Sequence, residues 1–149
     1  MDSFFSGRIA IETVLREIPM ARKAVLPSYC CDSMIDPYRK IGIEIEFYSV
    51  NFYDALNIDV TIPDDADILV WRNYFGCSTM MPEVTDFLRL GGFLIEDITY
   101  SLLSKRLYDP QSRYIVASVR KWEPINCGGD CASVDGELYH LPITLYTMV

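Results

Sequence analysis

Short apolar runs alternate with amphipathic helical patterns along this chain, and this alternation limits the possible folds more than any other feature of the sequence. No apolar run approaches the length of a membrane helix, and several have the composition of strands that are buried on both faces. Strands that alternate with helices form mostly parallel sheets, which are covered on both faces. The sequence therefore predicts an α/β fold, a three-layer sandwich with a mainly parallel central sheet.

The predicted strands span residues 23–27, 44–50, 67–73, 93–98 and 114–119. The predicted helices span residues 7–18, 32–41 and 82–90. Pro19 ends the first helix, Pro37 interrupts the second, Gly42 caps it, and Pro82 suits the first turn of the third. Residues 51–65 are predicted to be mostly loop, 74–78 and 127–131 turns, and 132–141 a hairpin.

Composition and charge restrict the class of protein and its partners. The 149 residues, half of them hydrophobic, predict a single domain over 1–149 with a sizeable core. The 13 Lys and Arg against 21 Asp and Glu give a net charge of −8, which argues against nucleic acid and anionic membranes as partners. Five cysteines without a disulfide framework and no secretory signal at the start predict reduced thiols and a cytoplasmic location.

Chemically active side chains follow two consecutive predicted strands. Asp97 lies at the end of the strand 93–98, and Lys121 lies just past the strand 114–119. Tyr100 and Ser118 lie between them in the sequence. Open α/β sheets bind ligands at the carboxyl ends of their strands. A carboxylate, a phenol, a hydroxyl and an amine at that edge predict a site for an anionic, nitrogen-containing cofactor.

Pyridoxal phosphate is a cofactor that these groups could serve. A carboxylate such as Asp97 keeps its ring nitrogen protonated, and a lysine such as Lys121 forms a Schiff base with its aldehyde and then shuttles a proton. Ser118 and the residues 6–8 that open the first helix could bind the phosphate. Tyr100 could donate a hydrogen bond to the phenolic oxygen.

Ordered motifs cover nearly the whole chain. They are Ser6-Gly7-Arg8, Leu26-Pro27-Ser28-Tyr29, Asn73-Tyr74-Phe75-Gly76, Ile95-Glu96-Asp97, and Ser118-Val119-Arg120-Lys121-Trp122 followed by Gly128-Gly129. In this order and spacing they resemble the fold-type I pyridoxal-phosphate enzymes, most closely the DegT/StrS group of sugar aminotransferases. The chain resembles only the amino-terminal part of the large domain of that family, whose members are much longer and also have a small carboxyl-terminal domain.

The resemblance implies roles for individual residues. Asp97 would pair with the pyridine nitrogen, Lys121 would form the internal aldimine, and Ser118 would bind the phosphate together with Gly7 and Arg8. Tyr74 follows the third predicted strand, where the family turns toward the active site.

The family usually places an aromatic ring over the pyridine, after the first strand. The nearest matching position here is Cys31, with Tyr29 two residues earlier. The resemblance also implies a homodimer, an amino donor and a keto-sugar acceptor that is nucleotide-linked.

Simpler interpretations remain open for each residue. Asp97 could cap the next turn, Lys121 could be a solvated lysine, and Ser118 an ordinary strand serine. Tyr100 could pack in the core, and Arg8 could form an ion pair. The alternative for the whole chain is a catalytically inactive domain, derived from an aminotransferase, that dimerises or binds a partner.

Other sites are disfavoured by spacing. Glu96 and Asp97 are adjacent on a strand and should point to opposite faces, so they cannot form an acid/base pair. The cysteine pairs 30/31 and 127/131 and the distant His140 lack the spacing of a zinc site, so no metal is predicted. A generic nucleotide-binding domain is disfavoured because neither glycine-rich phosphate-binding motif occurs.

Overall fold

The computed structural model of the protein describes residues 2–53, 55–76, 82–102 and 108–136, and the strands in these ranges form one eight-stranded sheet. The strands are β1 (Asp2–Phe4), β2 (Lys23–Pro27), β3 (Glu44–Asn51), β4 (Asn57–Asp59), β5 (Ile68–Arg72), β6 (Phe93–Asp97), β7 (Tyr114–Ala117) and β8 (Gly129–Ser133). Their order across the sheet is β1-β8-β7-β6-β5-β2-β3-β4. The central strands from β7 to β3 are parallel to one another. The predicted mainly parallel central sheet is therefore confirmed.

The helices are α1 (Gly7–Arg16), α2 (Asp32–Ile41) and α3 (Thr85–Arg89). The Ser6 hydroxyl caps α1 by accepting a hydrogen bond from the Ile9 N–H at 3.4 Å. Gly42 ends α2 in the left-handed conformation, at φ 86°, as predicted. The predicted interruption at Pro37 is wrong, because α2 continues through this proline and buries both Pro37 and Tyr38 against the core.

Both faces of the sheet are covered, which explains the uninterrupted apolar runs. Alternate strand residues point toward α1 and α2: Ala24, Leu26, Ile68, Val70 and Ile95. Their neighbours point to the opposite face, toward α3 and the segment 56–66: Val25, Leu69, Trp71 and Leu94. These buried strand residues are at most 2% exposed. The predicted three-layer arrangement is confirmed.

The antiparallel edges of the sheet differ from the sequence prediction. The predicted turn at 127–131 is wrong, because β8 begins at Gly129 and pairs antiparallel with both β7 and β1. The predicted hairpin at 132–141 begins inside β8, and its part from residue 137 lies outside the described residues. β4 lies within the predicted loop 51–65, and β1 was not predicted at all. Strands of three residues such as β1 and β4 carry too short a pattern to be recognised without their partners.

Several element ends also differ from the prediction. β7 ends at Ala117, and residues Val119–Lys121 form a 3₁₀ turn, so Lys121 lies one turn beyond the strand. α3 begins only at Thr85, so Pro82 precedes the helix and the prediction that it occupies the first turn is wrong. Tyr74–Gly76 also form a 3₁₀ turn, while residues 77 and 78 of that predicted turn lie outside the described residues.

Within the described ranges, no helix is long and apolar enough to cross a bilayer.

Candidate cofactor site at the carboxyl edge of the sheet

A cavity of about 270 Å³ opens where β5, β6 and β7 end and α1 begins. The parallel register places Arg72 opposite Asp97, and Asp97 opposite Val116. Parallel strands therefore deliver their last side chains to one edge, as expected for open α/β sheets. Six of the residues predicted for the site line this cavity: Gly7, Arg8, Cys31, Asp97, Ser118 and Lys121.

Asp97 is fixed at the end of β6 and is 7% exposed. Its Oδ1 accepts a hydrogen bond from the Thr99 N–H at 2.9 Å, and its Oδ2 lies 3.4 Å from Nε of Arg72. The alternative of a turn cap therefore also describes Asp97, because its carboxylate does bind the turn that follows. Glu96 points to the opposite face, where its Oε2 accepts hydrogen bonds from the Asp109 N–H and the Ser112 hydroxyl at 2.7 and 2.8 Å.

The 3₁₀ turn after β7 places Lys121 in the cavity wall. Its Nζ lies 4.9 Å from the centroid of the Tyr100 ring. Ser118 precedes this turn, and its backbone N–H donates a hydrogen bond to Oγ1 of Thr99 at 2.9 Å. The turn is therefore fastened to the segment that follows β6, which brings the lysine and Asp97 to the same cavity.

The start of α1 forms the opposite wall. A side chain at Gly7 would lie 3.5 Å from Cβ of Ser118, so α1 begins in close contact with the segment after β7. Arg8 lines the cavity and also lies 3.8 Å from Asp36, with about half of each side chain exposed. The ion pair left open by the sequence is therefore present. It is exposed and contributes little to stability, about 0–1 kcal/mol.

Three predicted tyrosines are not among the lining residues. Tyr74 is fully buried, and its hydroxyl donates a 2.6 Å hydrogen bond to the Tyr29 carbonyl oxygen. Tyr29 is half exposed and packs its ring against Phe52. Tyr100 lies behind the cavity wall, with the Arg72 guanidinium 4.6 Å and the Lys121 amine 4.9 Å from its ring centroid. Tyr100 thus contacts the cations of the site, whereas Tyr29 and Tyr74 lie apart from the cavity.

Cys31, at which the sequence resemblance predicted the position of a stacking ring, lines the cavity wall. Its Sγ is 2.9 Å from Oγ of Ser33. Desolvation alone would raise the pKa of the Cys31 thiol, but the hydrogen bond to Ser33 and the charges of Arg72 and Lys121 outweigh it and lower the pKa. The aromatic residue that does line the cavity is Phe5, from the segment before α1.

Among the lining residues that sequence reasoning missed, Arg72 and Thr99 are polar and buried. Arg72 is 5% exposed at the end of an otherwise apolar strand, and a charge inside a buried run is a signal that it must have a partner. Thr99 is 3% exposed and binds both Asp97 and Ser118, but a threonine after a strand carries no local signal for this role.

The described residues that line the cavity carry a positive excess in an acidic protein. The cations are Arg8, Arg72, Arg120 and Lys121, and the one carboxylate is Asp97. Because the chain as a whole has a net charge of −8, this local excess arises from where the fold places the basic side chains and not from the overall composition. Such a cavity favours an anionic ligand.

Metal binding receives no support from the described part of the chain, which contains no group of three or more His, Cys, Asp or Glu side chains suited to hold an ion. His140 lies outside the described residues.

The mainly parallel sheet and the helices on its faces give the class by fold alone: the chain has the fold of a fold-type I pyridoxal-phosphate aminotransferase large domain. It is similar to PseC of Helicobacter pylori, an aminotransferase involved in the biosynthesis of pseudoaminic acid, with a TM-score of 0.72 and 19% identity over 91% of this chain and 40% of that one. It is also similar to a GDP-4-keto-6-deoxymannose-3-dehydratase, with a TM-score of 0.71 and 16% identity over 92% of this chain and 40% of that one. For a DegT DnrJ EryC1 StrS aminotransferase from Brucella abortus the TM-score is 0.69 and the identity is 17%, over 91% of this chain and 42% of that one.

The predicted resemblance to sugar aminotransferases is thus confirmed at the level of the fold. At these identities the likeness shows the fold alone, and the chain spans about 40% of the length of the enzymes it matches. No model of a protein family matches the sequence, and no curated protein does either.

Proposed function

We propose that this chain binds pyridoxal 5'-phosphate in the cavity at the carboxyl edge of the sheet, with Lys121 as its covalent attachment point, and that it is an aminotransferase-like protein of the sugar-modifying kind. The observation that carries the proposal is that Asp97, Ser118 and Lys121, from the ends of two neighbouring strands, line one cavity. Its volume of about 270 Å³ is near the lower end of small-molecule pockets, about 300–1,000 Å³.

The residues present fit each end of the cofactor. The phosphate group matches the Ser118 side chain and the N-terminus of α1, whose dipole attracts anions. The pyridine nitrogen matches Asp97, and the aldehyde matches the amine of Lys121. The positive excess of the cavity suits a dianionic phosphate ester.

The chemistry of the chain's own groups follows from these positions. When bound, pyridoxal phosphate supplies an electron sink that stabilises negative charge on a substrate carbon. The Thr99 N–H donates a hydrogen bond that holds the Asp97 carboxylate at the end of the cavity proposed for the ring nitrogen. Ser118 and the start of α1 bind the phosphate at the other end. The Lys121 amine is the group that takes a proton from the substrate carbon and returns it.

The substrates and the assembly are also part of the proposal. An amino donor and a keto-sugar acceptor are supported by the solved GDP-4-keto-6-deoxymannose-3-dehydratase, which shares the fold and holds a trapped PLP-glutamate geminal diamine. A homodimer follows the resemblance to fold-type I enzymes. Among the described residues, Cys30, Cys31, Cys127 and Cys131 are free thiols, which supports a reducing, cytoplasmic location.

The test is reductive fixation of the cofactor. The protein is incubated with pyridoxal phosphate, treated with borohydride, digested and analysed by mass spectrometry. We expect the pyridoxyl group on the peptide that contains Lys121, no such adduct in Lys121→Ala, and an unchanged adduct in Lys40→Ala, whose lysine lies 2.9 Å from Glu12 on the exposed side of α1 and α2. An adduct spread over several surface lysines, or none at any cofactor concentration, would refute Lys121 as the attachment point.

A second candidate is the catalytically inactive domain that dimerises or binds a partner. It is favoured by Cys31 at the position of the stacking ring, by Tyr29 lying outside the cavity, and by the short span of the chain relative to its structural neighbours. Absence of any pyridoxyl adduct together with a stable dimer in sedimentation equilibrium would support this candidate over the first.

A further inference from the structure

A buried cation shares the end of the cavity that holds Asp97. Arg72 ends β5 directly opposite Asp97 on β6, is 5% exposed, and places Nε 3.4 Å from Oδ2 of that carboxylate. The contact is an ion pair and not a hydrogen bond, since Nε has no hydrogen-bond acceptor among the described residues. Its guanidinium carbon lies 4.6 Å from the ring centroid of Tyr100 and 5.5 Å from that of Tyr74. The two rings and the strand therefore fix the position of this charge.

The guanidinium changes what Asp97 can offer to a ligand. One oxygen of Asp97 already binds the Thr99 N–H, and the other faces Arg72. A ring nitrogen that approaches this carboxylate therefore meets an acceptor that is partly engaged, next to a fixed positive charge. A neighbouring like charge disfavours the protonated form of a base.

We propose that Arg72 is a positioning residue that holds Asp97 and lowers the proton affinity of the pyridine nitrogen bound beside it. The inference rests on the proposed function, because it requires a pyridoxal-type ring in the cavity. Arg72 then sets how strongly the ring withdraws electrons from a substrate.

Other titratable groups of the described residues lie around the pair of Arg72 and Asp97. They are Cys30 and Cys31 before α2, Tyr38 on α2, Tyr74 after β5, Tyr100 after β6, and Lys121. Burial raises the pKa of Cys30 to about 11 and also raises the pKa of Tyr38 and Tyr74, so these three stay neutral near pH 7. The pKa of Cys31 is lowered, so the test is made in a Cys31→Ser background.

The test uses a cofactor analogue that cannot react with Lys121. 4'-Deoxypyridoxine 5'-phosphate with ¹⁵N in its ring is bound to the full chain, and its nitrogen chemical shift is followed against pH. In Arg72→Gln, which keeps an N–H donor for Asp97 but removes the charge, we expect the nitrogen to lose its proton at a pH at least about one unit higher. Arg72→Lys should stay close to the parent protein, because it retains the positive charge.

Arg120→Gln is the matched control, since it removes a cation from the same cavity without a contact to Asp97. It should leave the midpoint of the nitrogen titration in place, even if it weakens binding of the analogue. An unchanged or lower midpoint in Arg72→Gln, or the same rise in Arg120→Gln, would overturn the inference. These outcomes leave the covalent role of Lys121 intact, whereas failure of the analogue to bind any variant would overturn both proposals.

Discussion

At the scale of single residues, Thr99 joins the two halves of the candidate site. Its backbone N–H binds Asp97, its hydroxyl oxygen accepts the Ser118 N–H, and its carbonyl oxygen accepts the indole N–H of Trp122. One buried threonine therefore ties the carboxylate at the end of β6 to the turn that carries Lys121. The relative position of acid and amine depends on this link.

Replacing Thr99 by valine should destabilise the protein. The Ser118 N–H would lose its acceptor, and an unsatisfied donor of this kind costs about 1–3 kcal/mol of unfolding free energy. Urea denaturation measures the loss. Thr99→Ser keeps the hydroxyl and should remain within about 1 kcal/mol of the parent. Equal stability of Thr99→Val and Thr99→Ser would show that the hydroxyl does not hold the turn.

Cys31 should be alkylated before Cys30 and Cys131. The pKa of its thiol is lowered, whereas burial raises that of Cys30 to about 11 and that of Cys131 to about 12. A lower pKa means more reactive thiolate at neutral pH. Limited iodoacetamide treatment at about pH 7, with fragment-ion assignment, measures the order.

The same experiment on Ser33→Ala tests the cause of this reactivity. Removal of the 2.9 Å contact to Oγ of Ser33 takes away the largest influence that lowers the Cys31 pKa, so alkylation should slow down. Modification of Cys30 or Cys131 before Cys31 would contradict the prediction.

At the scale of elements, the site depends on the contact between β8 and the start of α1. A Cβ at Gly129 would lie 2.3 Å from the backbone N of Gly7. The atoms that it would meet belong to the backbone, so no side-chain rotation could relieve the clash. Gly128 adds a backbone hydrogen bond to the Phe5 carbonyl oxygen at 2.8 Å. The two glycines therefore let β8 approach the start of α1, which lines the cavity, and a glycine pair in this role resembles a turn in the sequence.

Gly129→Ala should loosen this wall. The added methyl group collides with backbone atoms of Ser6 and Gly7, and overpacking of this kind costs typically about 1–3 kcal/mol or more. The midpoint temperature of thermal unfolding and the affinity for pyridoxal phosphate should both decrease. Gly136→Ala serves as the control because its Cβ meets no atom within 4 Å. If the two variants had the same midpoint, the close approach of β8 to α1 would not matter for stability.

At the scale of the whole molecule, charge is separated between the surface and the site. The chain has a net charge of −8, yet the described lining of the cavity has four cations and one carboxylate. An acidic surface repels anions at long range, so binding depends on the local field within the cavity. This field is short in range and sensitive to salt.

Binding of pyridoxal phosphate should therefore weaken with salt. Between about 0.1 M and about 1 M salt the Debye length falls from about 10 to about 3 Å. We expect the upward shift of the unfolding temperature caused by pyridoxal phosphate to shrink over this range. Pyridoxal, which lacks the phosphate, should bind more weakly, and its affinity should decrease less as the salt concentration rises. A greater salt effect on pyridoxal than on its phosphate would contradict an electrostatic phosphate site.

Much of the fold was predictable because its signals are local. The run 23–27 was placed at the observed bounds of β2, and 32–41 at those of α2, because an apolar run and a left-handed glycine mark these elements. β1 and β8 were missed because three residues before a helix and a glycine pair carry no strand pattern of their own. β1 and β8 pair with each other, and the paired residues lie more than 120 positions apart in the chain.

The sequence by itself determined the order of the central parallel strands and the helices, and the edge at which Asp97 and Lys121 end their segments, because hydrophobic periodicity and turn residues act over a few positions. Only the tertiary structure decided which side chains share the cavity. Arg72 enters it and Tyr29 does not, since strand register and burial bring together residues from distant parts of the chain. The chemistry of the site depends on that register, because it alone places a buried guanidinium beside Asp97.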